Sequence, residues 1–356
     1  VRDTQDDKFD RASDIIVNAI MEGKMIHFWG PGGHSSIFAE DVMYREGELA
    51  CINPIIDPNI SLGHGALKEV NYFERVEKMG KVIVKYNRIK TGDVMVIGSA
   101  YGVNPVCIQG ALESKRVGAA VIAITSPAFS DALDNEETRH ANGKGLNEIA
   151  DVYINSYSPY DDLTMKIDEM DQKFGPVGTI MQLITLKALT TTVIKKLAQK
   201  GIEVPIWKNA LEKGGPEFND RYLDQLWCKV KSMKKHFKGG NKNMKYILDY
   251  YKQVAAILDE LSKQTEDYKK AGQMIADAVK NKKLIHIVGT EMHSSIAAEE
   301  IFFRAGSLAN INPLYDPTFS VTHSAARSLY LKEADSCGQF LFEYYRNIQK
   351  GDLILI

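Results

Sequence analysis

Short apolar runs alternate along the first two thirds of the chain with longer segments in which apolar residues recur at helical spacing. The apolar runs predict buried strands at residues 25–29, 94–97, 121–124 and 152–154, and the segments predict helices at 11–21, 36–46, 105–117 and 178–199. Alternating strands and helices are typical of βαβ units. The pattern therefore predicts an α/β fold, a doubly wound parallel sheet with flanking helices.

The pattern occurs twice. The segment KMIHFWG at 24–30 matches KLIHIVG at 283–289, and HSSI at 34–37 matches HSSI at 293–296. The dipeptides NP and DP at 53 and 57 recur at 312 and 316, and GD at 92 recurs at 351. His34 and His293, like every other matched pair, are 259 positions apart. One constant offset without gaps indicates a tandem duplication.

The offset also predicts the domain boundaries. Residues 1–233 are expected to form the first copy, 234–245 a basic, glycine-containing linker, and 246–356 the N-terminal part of a second copy. An apolar stripe predicts a long helical segment at 241–280. The chain opens on Val1 in a polar run and stops in a run typical of a mid-sheet strand. Both ends are therefore expected to be cut edges, and the second copy to be incomplete.

Composition narrows the function classes. The 356 residues carry a formal net charge of −2, which favours neither nucleic acid nor membrane. The lysine-rich run at 229–245 is interpreted as a solvated linker. The four cysteines are widely spaced and no apolar run could span a bilayer, so we expect a cytoplasmic protein with reduced thiols.

A glycine-rich loop, GPGGHSS at 30–36, follows the first predicted strand and leads into a helix. Glycines let a ligand approach the backbone, and free N–H groups at a helix start attract anions. The candidate ligand contacts in this loop are Gly32, Gly33, His34, Ser35 and Ser36. The alternative is a tight turn in which the serines only cap the helix.

Two further strands end in small or hydroxyl-bearing residues. The loop GSAYGVN at 98–104 contributes Ser99 and Asn104 as candidates, and Thr125 and Ser126 follow the third predicted strand. Ligands of such sheets bind beyond the carboxyl ends of the strands. Because three loops converge on one edge, a phosphate pocket is favoured over coincidence.

These residues resemble the SIS (sugar isomerase) family, and most closely its phosphoheptose-isomerase-like branch. The resemblance covers the first copy and the present half of the second. It is carried by the three loops and by the following matches: His34-Ser35, Ala39-Glu40, Tyr44-Arg45, Asn53-Pro54, HGALK at 64–68, GDV at 92–94, AITS at 123–126 and Gly175-Pro176. It implies a phosphosugar-binding fold whose domains pair, with the pocket near the interface.

The chain departs from the family pattern in two loops. The family's second loop reads close to Ser-x-Ser-Gly-x-Ser/Thr, whereas this chain has SAYGVN at 99–104, with Tyr101 in place of a polar donor. In the second copy, TEM at 290–292 replaces PGG at 31–33 ahead of His293, Ser294 and Ser295. A carboxylate and a bulky side chain there should weaken anion binding, so the second pocket is expected to be altered.

Aldose–ketose isomerisation needs a base and a ring-opening acid or base. Glu40, matched by Glu299, is predicted to be the base; the alternative is a surface or subunit-interface carboxylate. His64, matched by His323, is predicted to assist; the alternative is a structural histidine. Glu74 and Glu333 are further paired candidates. His27 and His286 fall within strands and are interpreted as core residues.

The sequence thus predicts a cytoplasmic sugar phosphate isomerase that requires no metal or other cofactor. The alternatives are a non-catalytic phosphosugar sensor or binding subunit, and a lyase or transferase acting on an amino-sugar phosphate. The expected partner is a small sugar phosphate, with neither nucleic acid nor membrane involved. The two copies are expected to form a pseudo-dimer within the chain, or the chain a homo-oligomer.

Overall fold

The computed structural model describes residues 5–62, 73–132, 138–228, 245–290, 293–315 and 348–356. The helices are α1 (Asp6–Met21), α2 (Ile37–Glu40), α3 (Met79–Tyr86), α4 (Pro105–Arg116), α5 (Pro127–Ala132), α6 (Leu146–Ile149), α7 (Gly178–Gln199), α8 (Gly215–Cys228), α9 (Lys245–Ser262), α10 (Thr265–Lys280) and α11 (Ser295–Ile301). The strands are β1 (Ile26–Trp29), β2 (Ile52–Ile55), β3 (Val94–Gly98), β4 (Ala120–Thr125), β5 (Val152–Asn155), β6 (Leu163–Met165), β7 (Phe174–Pro176), β8 (Ile285–Ile287), β9 (Ile311–Pro313) and β10 (Leu353–Leu355).

The first copy is built on a five-stranded parallel sheet in the order β2-β1-β3-β4-β5. This confirms the predicted α/β fold, and all four predicted strands are present. Strand β2 was not predicted, because Pro54 interrupts it and a proline cannot donate to a ladder on both sides. Strand β2 lies at the sheet edge and, among the described strands, pairs with β1 alone, and an edge strand tolerates a proline.

Both faces of this sheet are buried, and residues alternate between them. Val94 and Val96 of β3 pack against α1 and α7, whereas Met95 and Ile97 of the same strand pack against α3 and α4. A strand with apolar side chains on both faces reads as a continuous apolar run. The two helical layers therefore follow from the runs that predicted the strands.

The second copy repeats the topology in the order β10-β8-β9, all parallel. Ile285 pairs with Ile311 and Leu353 just as Ile26 pairs with Ile52 and Val94. Side chains repeat as well. Asn53 Nδ2 lies 2.9 Å from His27 Nδ1, and Asn312 Nδ2 lies 2.8 Å from His286 Nδ1. Both histidines are buried inside their sheets, as interpreted from the sequence.

Several element bounds differ from the prediction. The helix expected at 36–46 ends at Glu40 and continues as turns, and α1 begins at Asp6 rather than at residue 11. The helical segment expected at 241–280 is divided into α9 and α10. Most of the predicted linker, residues 234–244, lies outside the described residues. No helix among the described residues is long and apolar enough to cross a membrane.

The two copies contact each other through α2 and α11, which occupy equivalent positions in the repeat. Glu40 at the end of α2 and its equivalent Glu299 both have no exposed surface, and burial together with the nearby Glu40 carboxylate raises the pKa of Glu299. An interface in which the same residue of each copy meets its equivalent is isologous, as in a twofold dimer. The described parts of the two copies therefore contact each other through equivalent elements.

Candidate functional site

A cavity of about 240 Å³ opens at the carboxyl edge of the main sheet, against the second copy. Its volume suits a small metabolite better than a drug-sized ligand. The described residues that line it come from both copies: Gly32, Gly33, His34, Ser35, Leu62, Glu74, Ser99, Ala100, Tyr101, Asn104, Asp162, Thr179, Gln182, Phe303, Arg304 and Ala305.

The first wall of the cavity is the loop between β1 and α2. A Cβ atom on Gly30 would lie 1.5 Å from the carbonyl oxygen of Ser35, so the chain can fold back tightly here only with glycine. The backbone N–H of Gly33 points inward and donates to Glu74 Oε1 at 2.7 Å. The donor that the sequence assigned to phosphate is thus engaged by a carboxylate of the same chain.

The second wall is the loop between β3 and α4. Gly102 adopts a positive φ of 59°, and its N–H donates to Ser99 Oγ at 3.0 Å. Asn104 caps α4 by accepting from the N–H of Cys107. The amide nitrogen of Asn104 donates to Pro31 O at 3.2 Å and to Glu74 Oε2 at 3.3 Å. Asn104 therefore joins the two loops.

Glu74 is the carboxylate between these loops. Burial raises its pKa, and the hydrogen bonds from Gly33 and Asn104 offset only part of that shift. A carboxyl group that is hydrogen-bonded at both oxygens and has a raised pKa is a stronger base than an exposed carboxylate. Glu74 was a further candidate in the sequence.

Arg304 is the cation of the cavity and comes from the second copy. Its guanidinium lies 2.7 Å from Asp162 Oδ2 and 3.0 Å from Glu300 Oε1, and it also donates to Thr179 Oγ1. Its Nε–H is buried and has no hydrogen-bond partner among the residues that the structure describes. Burial raises the pKa of Glu300 to about 7. The site is incomplete without the second copy, since its cation is supplied from there.

The structure brings six of the predicted contacts together in the lining: Gly32, Gly33, His34, Ser35, Ser99 and Asn104. Three other predicted contacts, Ser36, Thr125 and Ser126, are not among the described residues that line the cavity. Ser36 Oγ donates to Gly33 O at 2.8 Å, and Ser126 Oγ donates to Ser158 O at 2.6 Å. Thr125 is buried beneath Gly102. Ser36 and Ser126 thus hold the loops in shape, and Thr125 packs below the loop.

Glu40, the predicted base, is not among the described residues that line the cavity. Its Oε1 accepts from Ser61 Oγ at 3.2 Å, and its carboxyl group meets Glu299 between the copies. Burial raises the pKa of Glu40, and burial with the nearby Glu40 carboxylate raises that of Glu299 well above its ordinary value. Glu40 is thus a buried carboxyl group between the two copies.

The remaining predicted residues have mixed placements. His64 and His323 lie outside the described residues. His34 lines the cavity, but its Nε2 donates across the interface to Phe302 O, and its equivalent His293 donates to Met43 O, each at 3.1 Å. Ser294 and Ser295 begin α11, as expected from the repeat.

Sequence reasoning missed Asp162, Thr179, Gln182 and Arg304. The sequence pattern gave no reason to expect ligand contacts from Asp162, Thr179 or Gln182. Arg304 did leave a signal, because it matches Arg45 across the 259-residue offset and each pairs with the acidic residue four positions earlier.

A doubly wound parallel sheet, repeated within the chain and with a polar cavity where the copies meet, defines an α/β protein of the SIS type. The SIS domain family model matches residues 1–126 and 249–356. The chain belongs to the SIS domain family.

The chain is also similar to individual proteins. It is 33% identical over 215 residues to a UPF0309 protein of Shouchella clausii, covering 60% of this chain and 86% of that protein. A UPF0309 protein of Caldanaerobacter subterraneus is 30% identical over 228 residues, covering 63% of this chain and 91% of that protein. Among solved structures, phosphoheptose isomerase from Neisseria gonorrhoeae aligns with 16% identity and a TM-score of 0.34, covering 53% of this chain and 86% of that one.

Proposed function

We propose that this protein binds a sugar phosphate in the cavity and interconverts its aldose and ketose forms, with Glu74 as the base. The observation that carries the proposal is the position of Glu74, fixed in the cavity wall by Gly33 and Asn104 with a raised pKa. Membership of the SIS domain family and the convergence of two ligand loops on one cavity support it.

Arg304 is the proposed phosphate contact. Its Nε–H is a buried donor at the cavity without a partner in the described part of the chain, and charge-assisted hydrogen bonds from arginine to phosphate are among the stronger polar contacts. Ser35 and Ser99 add hydroxyl groups on the facing loops. The phosphate would be held at the second copy's side of the cavity, since the Gly33 N–H is already engaged.

In the proposed reaction Glu74 removes the proton from C2 of the open-chain aldose and returns it to C1. The proton of the C2 hydroxyl moves to the C1 carbonyl oxygen, so no atom is gained or lost. Replacing Glu74 therefore removes proton transfer but leaves the phosphate contacts in place. This role replaces the one predicted for Glu40, whose carboxyl group has no exposed atom.

The test is a calorimetric titration with a panel of hexose, heptose and amino-sugar phosphates, followed by C2 proton exchange in deuterated water, observed by NMR. Glu74→Gln should abolish exchange and change ligand affinity only a few-fold. Glu77→Gln, an exposed neighbour on the same segment, is the matched control. Exchange that survives Glu74→Gln but is lost in Glu40→Gln would restore the sequence-based choice of base.

A non-catalytic sensor is the second candidate. One contact favours it: Glu74 occupies the Gly33 N–H, the donor a phosphate would use in an open loop. Binding of a sugar phosphate without any C2 exchange would support the sensor and remove the isomerase. Consumption of an amino-sugar phosphate with loss of its nitrogen would support the lyase or transferase instead.

A further inference from the structure

Three aromatic rings form a continuous stack beside the cavity. Tyr101 stacks on Phe129 with ring centroids 3.9 Å apart and 22° between the planes, and Phe129 stacks on Tyr160 at 5.7 Å and 28°. Isolated exposed aromatic residues are common on protein surfaces. A stack of three that begins at a cavity wall is a different feature, because Tyr101 itself lines the cavity.

Each ring comes from a different loop at the carboxyl edge of the sheet. Tyr101 follows β3, Phe129 lies in α5 after β4, and Tyr160 follows β5. Phe129 covers one face of Tyr101, yet Tyr101 remains 39% exposed. The exposed surface of Tyr101 therefore belongs to its other face and its edges. The stack holds this surface in a fixed orientation, so a ligand need not order it on binding.

The cavity wall at Tyr101 combines polar and aromatic side chains. Thr179, Gln182 and Arg304 line the cavity with polar side chains, and Tyr101 lines it with an aromatic side chain. A sugar in its closed ring form matches this combination, because its C–H groups gather on the flat faces and its hydroxyl groups lie at the rim. An open-chain sugar has no such face. A purely aromatic ligand would offer no acceptor to the Arg304 Nε–H, which has no partner among the described residues.

We propose that Tyr101, backed by Phe129 and Tyr160, is a stacking platform that selects the closed ring form of a phosphorylated sugar. The proposal rests on the proposed phosphosugar binding and adds a specificity residue to it. It also accounts for one departure of this loop from the polar family pattern, since the aromatic face of Tyr101 replaces a polar donor. The ring would bind first in closed form and open afterwards.

The test measures dissociation constants for three probes by calorimetry on the full chain. 1,5-Anhydroglucitol 6-phosphate is locked in the closed ring, glucitol 6-phosphate is permanently open, and inorganic phosphate has no sugar. Tyr101→Ala should weaken the closed-ring probe roughly five- to tenfold and leave the other two unchanged. Tyr101→Phe should keep the wild-type preference, because the ring face remains.

Two further variants keep the result interpretable. Tyr101→Leu retains apolar volume without a flat face, and should lose the preference even if Tyr101→Ala unfolds. Tyr86→Ala, at an 84% exposed position in α3, should match the wild type for all probes.

Each other outcome has a definite meaning. Equal loss of the open and closed probes in Tyr101→Ala and Tyr101→Leu, or no loss of either, overturns the platform but leaves phosphosugar binding intact. Tighter binding of phenyl phosphate than of the closed-ring probe also overturns the platform. Failure of the wild type to bind any sugar phosphate overturns the proposed function itself, and the platform with it.

Discussion

The Nε2 atom of His34 donates a hydrogen bond to the carbonyl oxygen of Phe302 at 3.1 Å. The reciprocal bond, from His293 to Met43, has the same length, and both donor and acceptor are shifted by the repeat offset of 259 residues. Each histidine must carry its proton on Nε2, because a carbonyl oxygen can only accept. The two copies are thus joined by a symmetric pair of bonds between histidines whose burial favours the neutral form.

Acid should weaken this contact. Burial lowers the pKa of His34 and of His293 from 6.5 to about 4. A histidine whose pKa is lower in the folded state stabilises the fold above pH 6.5, and this contribution is lost as the pH falls towards 4. The loss should be on the order of 2 kcal/mol per histidine, measured by denaturant unfolding across this pH range.

The double variant His34→Gln, His293→Gln keeps an amide donor but removes the titration. Its stability should vary less between pH 6.5 and 4 than that of the wild type, and His140→Gln, in a turn outside the contact between copies, serves as the control. An unchanged acid slope in the double variant would show that the histidines do not sense pH.

The carboxyl pair at the same interface should act in the opposite direction. Burial raises the pKa of Glu40 and of Glu299 above 4.5, so the folded state binds more protons than the unfolded state above that pH. Stability from this pair is therefore present at acid pH and is lost as the pH rises through the raised pKa values.

Glu299→Gln removes the charge and keeps a hydrogen-bonding partner for Glu40. At pH 8 it should raise the free energy of unfolding by about 1 kcal/mol or more, with little gain at pH 5. Glu266→Gln, whose side chain is 83% exposed, should change neither value. A lower free energy of unfolding for Glu299→Gln at pH 8 would contradict this prediction. It would mean that the pair is ionised and stabilised by some other interaction.

The sheet of the first copy could be predicted because its strands are buried on both faces. Val94 to Ile97 and Val121 to Ile124 are uninterrupted apolar runs, and such runs carry their structure locally. Strand β2 was not predictable in this way, since Pro54 and Asn53 make it look like a loop. Only its place beside β1 at the sheet edge makes it a strand.

The site was predictable only in part. The loops that contain Ser35 and Ser99 follow strands, and topology alone brings them to one edge. The direction of Glu40 depends on how α2 meets α11, and the arrival of Arg304 depends on how the copies dock. Both are set by tertiary contacts, which the spacing of residues along the chain does not record.

Arg304 and Arg45 offer a matched pair for the phosphate contact. Arg304→Gln should weaken binding of the best sugar phosphate roughly tenfold or more, because a charge-assisted bond is lost. Arg45→Gln should leave binding unchanged, since Arg45 pairs with Asp41 outside the described cavity lining. Calorimetric titration of both variants measures the difference.

The Arg304 variant needs a stability control, because removal of the guanidinium leaves Asp162 and Glu300 without their cation. Arg304→Lys retains the charge and should lose less affinity than Arg304→Gln. Wild-type affinity in two folded Arg304 variants would place the phosphate elsewhere in the cavity.

The turn at Gly30 supports both the sheet and the cavity, and it should not tolerate a side chain. In Gly30→Ala the new Cβ would meet the backbone of Ser35, which cannot move without shifting the loop and α2. The expected cost is roughly 2–3 kcal/mol in the free energy of unfolding, with loss of ligand binding.

Gly272→Ala in α10 is the control: nothing lies within 4 Å of its added Cβ, so a helical alanine should gain about 0.5–1 kcal/mol. Denaturant midpoints for the two variants should therefore move in opposite directions, and a Gly30→Ala protein as stable as the wild type would contradict the close approach of the chain at this turn.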